Sequence, residues 1–156
     1  MTAWTERPRV EATLLNPALL AVLLAAAARD YETQAARMPW PLTFLIPPLV
    51  LHRPTRKVLP RDTRTHLSTW IGRHPLLRAG FPDRAAAMVP VTREGVRFGL
   101  RAGVLTREGS TLTGHLGAEA PPGELRQLIR QAALVGRWFA KTDQPTTVFA
   151  LLGVAP

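Results

Sequence analysis

The side chains that most often carry out catalysis are sparse in this chain, and their spacing matches no known catalytic motif. Four histidines and two serines occur, at His52, His66, His74, His115, Ser68 and Ser110. No two histidines have the HExxH spacing of a zinc site, and neither serine lies in a GxSxG turn. A phosphate-binding GxxxxGKS/T loop is also missing, and the carboxylates are scattered along the chain. We therefore predict a non-enzymatic protein without catalytic residues, metal site or cofactor.

The composition narrows the class of protein further. The chain has no cysteine, which excludes disulfides, thiolate zinc sites and cysteine nucleophiles. The longest apolar run, Leu19 to Ala28, is shorter than the ~20 residues that cross a bilayer. The N-terminal residues lack the layout of a signal peptide. With 46% apolar residues over 156 positions, we expect one cytoplasmic domain, residues 1–156, with no membrane partner.

Positive charge is concentrated in the middle of the chain. The net charge is +9, and the stretch from Arg53 to Arg101 holds eleven Lys and Arg residues but three acidic ones. That stretch alone therefore accounts for eight of the nine excess charges. Such a concentration is typical of a nucleic-acid-binding surface. The alternative is an arginine-rich chain whose charges are spread over a solvated face.

The N-terminal part, residues 1–54, is predicted to be helical. A helix is expected over residues 16–33, because Asn16 can cap it and Pro17 suits its first position. From Leu19 to Ala28 this helix is apolar on every side, so other elements or a partner protein must cover it. Residues 39–52 contain four prolines, which favours a kinked helix or two short turns over a strand.

Residues 55–117 have the pattern of a winged helix-turn-helix. The pattern predicts three helices capped by acidic or hydroxyl side chains and ended by Pro or Gly: Thr63–Arg73 after Asp62, Arg84–Val89 between Asp83 and Pro90, and Arg93–Ala102 between Thr92 and Gly103. Two short runs, Val104–Arg107 and Thr111–Leu116, flank Gly109-Ser110 and predict a hairpin. We therefore predict a mainly α (α+β) fold with a winged-helix core.

The C-terminal part, residues 118–156, is predicted to flank this core with helices. Apolar residues at helical spacing indicate a helix from Pro121 through the GRWFAK sequence. The last apolar piece, within residues 144–154, fits either a short helix after Pro145 or a strand, and the sequence leaves both open.

Four arginines are candidate DNA-binding residues. Arg93, Arg97 and Arg101 are four residues apart, which places them in one stripe on the third predicted helix, and Arg107 lies near the hairpin tip. In winged-helix DNA binders the last helix enters the major groove. The same stripe can instead pair with carboxylates of a partner protein, because a fold does not determine its use. Base-specific contact is disfavoured, because the helix has no Asn or Gln.

The order of several sequence pieces resembles a known family. The early LLNPALLAVLL, the long run from FLIPPLVLHRPTRKVLP to TREGVRFGL and the late GRWFAKTDQPTTVFALLGVAP together resemble the middle component of three-component ABC systems, over nearly the full chain. The resemblance implies a bacterial module of defence against phage and plasmids, related in organisation to Lamassu-type complexes. It further implies partners, namely an ABC ATPase of the SMC and Rad50 kind and an effector subunit, and it brings no catalytic residues. Gly95 stands where relatives are expected to have Ala.

Our leading hypothesis is a non-catalytic adaptor that links the ATPase to the effector and can contact double-stranded DNA. The helix at 16–33 and the residues Arg137, Trp138 and Phe139 are the candidate partner-binding elements. Alternatively, Trp138 and Phe139 fill the core of the chain itself. The competing hypothesis is a free-standing winged-helix DNA-binding regulator, which would bind duplex DNA alone as a homodimer.

Overall fold

Helices form most of the protein. The computed structural model describes residues 15–142 and 144–155. The elements follow in the order α1 (Pro17–Tyr31), β1 (Met38–Pro39), a 3-10 helix (Trp40–Leu45), α2 (Ile46–Val50), α3 (Arg53–Lys57), α4 (Leu67–Arg73), α5 (Pro75–Ala102), β2 (Leu105–Glu108), β3 (Thr111–Gly114), α6 (Glu124–Ala140) and α7 (Pro145–Leu152). The predicted mainly helical α+β class is confirmed.

Helix α1 lies at the centre of the core. Its start is as predicted: the Asn16 side chain accepts a hydrogen bond from the amide of Ala18 at 2.8 Å, and Pro17 occupies the first position. Helices α5 and α6 and the strands β2 and β3 all pack against α1. Residues 23–28 are fully buried. Most of the apolar surface of this helix is therefore covered by the chain itself, and Ala18, Leu19 and Val22 are its apolar residues that stay partly exposed.

Three glycines allow the backbones around α1 to approach it closely. A Cβ atom at Gly136 of α6 or at Gly114 of β3 would overlap with a backbone carbonyl of α1, that of Ala27 or Ala25. At Gly95 of α5, a Cβ atom would lie 2.6 Å from the Cβ of Leu20. The glycine at position 95, where relatives were expected to have Ala, therefore has a packing reason. Small residues on both sides set the short distance between these elements.

The prediction of two separate helices over residues 84–102 is wrong. Helix α5 runs from residue 75 to 102 with Pro82 and Pro90 inside it, so Asp83 and Thr92 are interior residues rather than caps. The two prolines leave the carbonyls of Arg78 and Ala86 without their helical donor, but both residues are exposed and water can replace that donor. Because no turn divides residues 84–102, the helix-turn-helix expected of a winged helix is not formed there.

The predicted hairpin is confirmed. Strands β2 and β3 are antiparallel and pair Glu108 with Thr111, so Gly109 and Ser110 form a two-residue loop. Gly109 has a φ of +59°, a backbone conformation that a glycine adopts without strain. The third strand, β1, pairs with β3 and completes a sheet of order β1-β3-β2. Sequence reasoning had assigned no strand to β1, which has only two residues.

Two tryptophans hold the connecting segment 58–66, which joins α3 to α4. The indole Nε1 of Trp70 donates to the carbonyl of Val58 at 2.9 Å, and that of Trp138 donates to the carbonyl of Thr65 at 2.8 Å. The two rings meet edge to face, 5.2 Å apart. Asp62 binds the amide of Arg64 within this segment and does not cap α4, which begins at Leu67 instead of residue 63. The segment is thus fixed to the core at both ends.

The C-terminal part consists of α6 and α7. Trp138 and Phe139 of α6 are each 1% exposed and belong to the same hydrophobic cluster as α1. The piece at 144–154, left open between helix and strand, contains the helix α7, and Pro145 is its first residue. Its buried residues Val148, Phe149 and Leu152 join the same cluster.

We predict that Gly136→Ala destabilises the protein by about 3 kcal/mol, because the added methyl group meets the backbone of α1, which cannot yield as a flexible side chain can. Gly72→Ala is the matched control, since a Cβ there meets no atom within 4 Å. It should leave the stability unchanged or raise it by up to ~1 kcal/mol. Urea unfolding followed by circular dichroism measures both. Equal stability of the two variants would contradict the close packing of α6 on α1.

We also predict that Trp138→Phe lowers the free energy of unfolding by ~2 kcal/mol, because the carbonyl of Thr65 loses its donor and the smaller ring leaves a gap. The control is Trp40→Phe at a ring that is 40% exposed, where a change within about 0.5 kcal/mol is expected. The same unfolding measurement applies. A neutral Trp138→Phe would mean that the indole does not hold the connecting segment.

Candidate interaction surfaces

The four arginines predicted to bind DNA are exposed, and three of them line one cleft. Arg93, Arg97 and Arg101 lie on α5, and Arg107 lies on β2. The side chains of Arg93, Arg97 and Arg107 surround a cleft of about 330 Å³, whereas Arg101 does not line it. Arg107 is held in place by its own hairpin, because its Nε donates to the carbonyl of Gly109 at 2.8 Å.

The remaining walls of this cleft are apolar. They come from the 3-10 helix, α5 and β3 and consist of Trp40, Phe44, Val96, Leu100 and Leu112. The Trp40 and Phe44 rings meet edge to face with centroids 5.6 Å apart. The amide of Trp40 donates to the carbonyl of Ser110 at 2.9 Å, which ties the 3-10 helix to the hairpin loop. We call this surface the aromatic–arginine cleft.

The aromatic–arginine cleft combines side-chain types that are enriched at protein interfaces. Trp40 and Leu100 are 40% and 38% exposed, although both are large apolar side chains. Aromatic and arginine side chains are enriched at protein interfaces, where aromatic rings supply buried area and guanidinium groups bind carboxylates. Sequence reasoning missed Trp40 and Phe44 because their proline-rich run has no periodicity that assigns them to a face.

The predicted partner-binding residues of α6 divide into buried and accessible ones. Trp138 and Phe139 lie in the core, so the structure leaves them no surface that a partner could contact. The side chain of Arg137 is 33% exposed and forms an ion pair with Asp30 at the end of α1. Of the three residues predicted to contact a partner, Arg137 is therefore the one whose side chain a partner can reach.

Arg137 belongs to a second and larger cleft, of about 890 Å³, which we call the basic cleft. It opens between the end of α1, α3, the connecting segment 58–66, the loop before α6 and α6 itself. One carboxylate, Asp30, lies in its lining beside seven cationic side chains: Arg29, Arg56, Lys57, Arg61, Arg126, Arg130 and Arg137. The other lining residues are neutral, with Gln127 and Gln131 as the polar ones.

Few of these cations are neutralised by the protein. Asp30 is shared, since Arg29 Nε lies 3.1 Å from its Oδ1 and Arg137 pairs with its Oδ2. Arg56 lies 3.5 Å from Glu124 at the start of α6. By contrast, Lys57, Arg61 and Arg130 are exposed, and their side chains form no hydrogen bond or ion pair within residues 15–142 and 144–155. The basic cleft therefore retains a large positive excess.

Part of the basic cleft could have been predicted from the sequence. Arg126, Arg130 and Arg137 are separated by four and seven residues, which places them on one face of a helix. Sequence reasoning singled out Arg137 as a candidate partner-binding residue but did not connect it with Arg126 and Arg130, and so missed the stripe. The remaining cations come from α1, α3 and the connecting segment, and no local pattern places these elements beside α6.

Two neighbouring ionisable groups, His52 and Arg84, both have pKa values below their usual range. Burial, and then the charge of Arg84, lower the pKa of His52 below its usual value. Burial also lowers the pKa of Arg84, whose Nη2 donates to the carbonyl of Leu77 at 2.9 Å. The His52 ring meets the hydroxyl of Thr55 at 2.7 Å. The first of these hydrogen bonds lies within α5 and the second lies at the start of α3, so each supports its own helix.

The described residues contain no group of three His, Cys, Asp or Glu side chains arranged to hold a metal ion. No helix among them is both long and apolar enough to traverse a bilayer.

Comparison with known proteins places the whole chain in a family. No curated protein and no solved structure matches it. A family model described as ABC-three component (ABC-3C) system Middle Component 3 matches residues 4–156. This match confirms the resemblance drawn from the ordered sequence pieces. The chain belongs to the Middle Component 3 family of ABC-three component systems.

Proposed function

We propose that this chain is a non-catalytic adaptor that links an SMC- or Rad50-like ABC ATPase to an effector subunit in a bacterial defence complex. Membership of a middle-component family supports a role within a complex of several subunits. The observation that carries the proposal is the aromatic–arginine cleft, because the exposed apolar side chains of Trp40 and Leu100 lie together with three arginines in one concave surface.

The occupant of the aromatic–arginine cleft is a partner segment that combines apolar and acidic side chains. Apolar side chains fill the space between Trp40, Phe44 and Leu100, and carboxylates pair with the surrounding arginines. A duplex nucleic acid would contact the arginines but would leave the aromatic rings without a matching surface. Contact with the DNA backbone stays a prediction for Arg93, Arg97, Arg101 and Arg107. The experiment below distinguishes contact with DNA from contact with a partner protein.

The alternative function is a free-standing DNA-binding regulator. That hypothesis depended on two helices joined by a turn within residues 84–102, and α5 is continuous over these residues. It predicts a homodimer that binds duplex DNA without any other component. The adaptor predicts stable association with the ATPase of the same system.

We predict that replacing Arg93, Arg97 and Arg107 together with Glu weakens binding to the ATPase at least ~100-fold, because each substitution turns an attraction for carboxylates into a repulsion. The control replaces Arg53, Arg64 and Arg73 with Glu. These three are exposed, line neither cleft and change the net charge equally. The control should bind within about 3-fold of the wild type. Interferometry with the purified, co-expressed ATPase measures the affinities.

The possible results distinguish the hypotheses. If the wild-type chain does not associate with the ATPase or the effector, the adaptor role is wrong. If the control weakens binding as much as the cleft variant, general charge and not this cleft governs association. If the cleft variant keeps its ATPase affinity and loses affinity for a DNA duplex, the arginines contact DNA and the docking assignment is overturned.

A further inference from the structure

The basic cleft gathers like charges that the fold neutralises only in part. Its seven cationic side chains come from α1, α3, the connecting segment and α6, and one carboxylate lies among them. Cations brought together from separate parts of a chain repel one another and lower the stability of the folded state. The two tryptophan hydrogen bonds at Val58 and Thr65 hold Arg61 beside α6 despite this repulsion. An anionic ligand in the cleft removes the repulsion.

The extent of the charged surface identifies the size of the anion. Arg126 and Arg137 are eleven residues apart on α6, which corresponds to about 16 Å along the helix. Measured along the axis of a duplex, each strand carries one phosphate per ~3.4 Å. A row of this length is therefore long enough to meet more than one phosphate of a duplex. A single small anion would engage only part of this row.

The composition of the lining identifies the class of polyanion. Among its described lining residues the basic cleft has no aromatic side chain. Unpaired bases are bound by stacking on aromatic rings, and aromatic side chains are enriched where protein partners bind. The aromatic–arginine cleft has such rings and the basic cleft does not. Arginine and lysine without rings are the side chains that bind the backbone of a duplex.

We infer that the basic cleft binds the phosphate backbone of a nucleic-acid duplex, without reading its sequence. This inference goes beyond the adaptor role and does not depend on it. The two clefts share no lining residue. One is built on α6 and the other on α5, and both helices pack on α1. One chain can therefore hold a protein partner and a duplex at the same time.

The test uses the full chain with a fluorescently labelled DNA duplex, and with an RNA duplex of equal length as a second arm. Lys57, Arg61 and Arg130 are replaced together with Gln, because these cleft cations have no contact to lose within the described residues. The control replaces Arg53, Arg73 and Lys141 with Gln. These residues are also two Arg and one Lys, they are exposed, and they line neither cleft. Circular dichroism verifies that both variants are folded.

We expect the cleft variant to lose three phosphate contacts, so its slope of log affinity against log salt should be smaller by about 2.7. Between about 50 and 200 mM salt, the wild type should accordingly lose roughly 40-fold more affinity than the variant. The control should keep the wild-type slope to within about one unit. Binding of both duplexes indicates that the cleft recognises the phosphate backbone they share. Preference for one duplex shows whether the ligand is DNA or RNA.

Several results would overturn the inference. One is an equal loss in the cleft variant and the control, which would indicate non-specific attraction by the net charge. Another is tighter binding of a single strand than of either duplex. A third is found with polyglutamate as the probe: if the cleft variant loses affinity for polyglutamate and keeps its affinity for both duplexes, the ligand of the cleft is an acidic protein segment.

Discussion

The structure depends on the close packing of one apolar helix, α1, against backbone rather than against large side chains. Residues Ala25 to Ala28 are fully buried, and glycines of α6 and β3 face them where no Cβ atom fits. Interiors are packed so densely that a single added methyl group must displace its neighbours. The distance between α1 and its neighbours is thus set by the absence of side chains, and both clefts open along elements held in this way.

The same packing accounts for the location of the charges. Because α1, α5 and α6 use their inner faces for apolar and small residues, arginines occupy the outer faces of the two outer helices. On α5 they lie beside the exposed ring of Trp40, and on α6 they lie beside further cations from α1, α3 and the connecting segment. A surface with rings and arginines suits a protein partner, and a strongly cationic surface without rings suits phosphates. The chain thus offers two chemically different surfaces on one small core.

The continuity of α5 shows how tertiary structure overrides local signals. Pro90 and the capping residue Thr92 indicate a boundary between two helices, and in isolation that inference is sound. In the folded protein Thr92 and Gly95 are buried against the core, and Pro90 lies on the solvent side. A helix tolerates a proline where water can reach the freed carbonyl and where packing on both sides of the proline keeps the axis in place. Local propensity is a weak prior when one face of the segment is buried.

The sequence by itself determined the features that depend on neighbouring residues. These are the capped start of α1, the helical class, the hairpin at Gly109, the exposed stripe on α5 and the order of motifs that marks the family. Only the tertiary structure decided that Trp138 and most of the apolar surface of α1 are buried within the chain, that α5 is one helix, and that cations from separate segments form the basic cleft. The physical reason is that burial and charge clustering depend on how the fold brings together residues far apart in the chain, such as Arg61 and Arg130 in the lining of the basic cleft, and no local spacing encodes this.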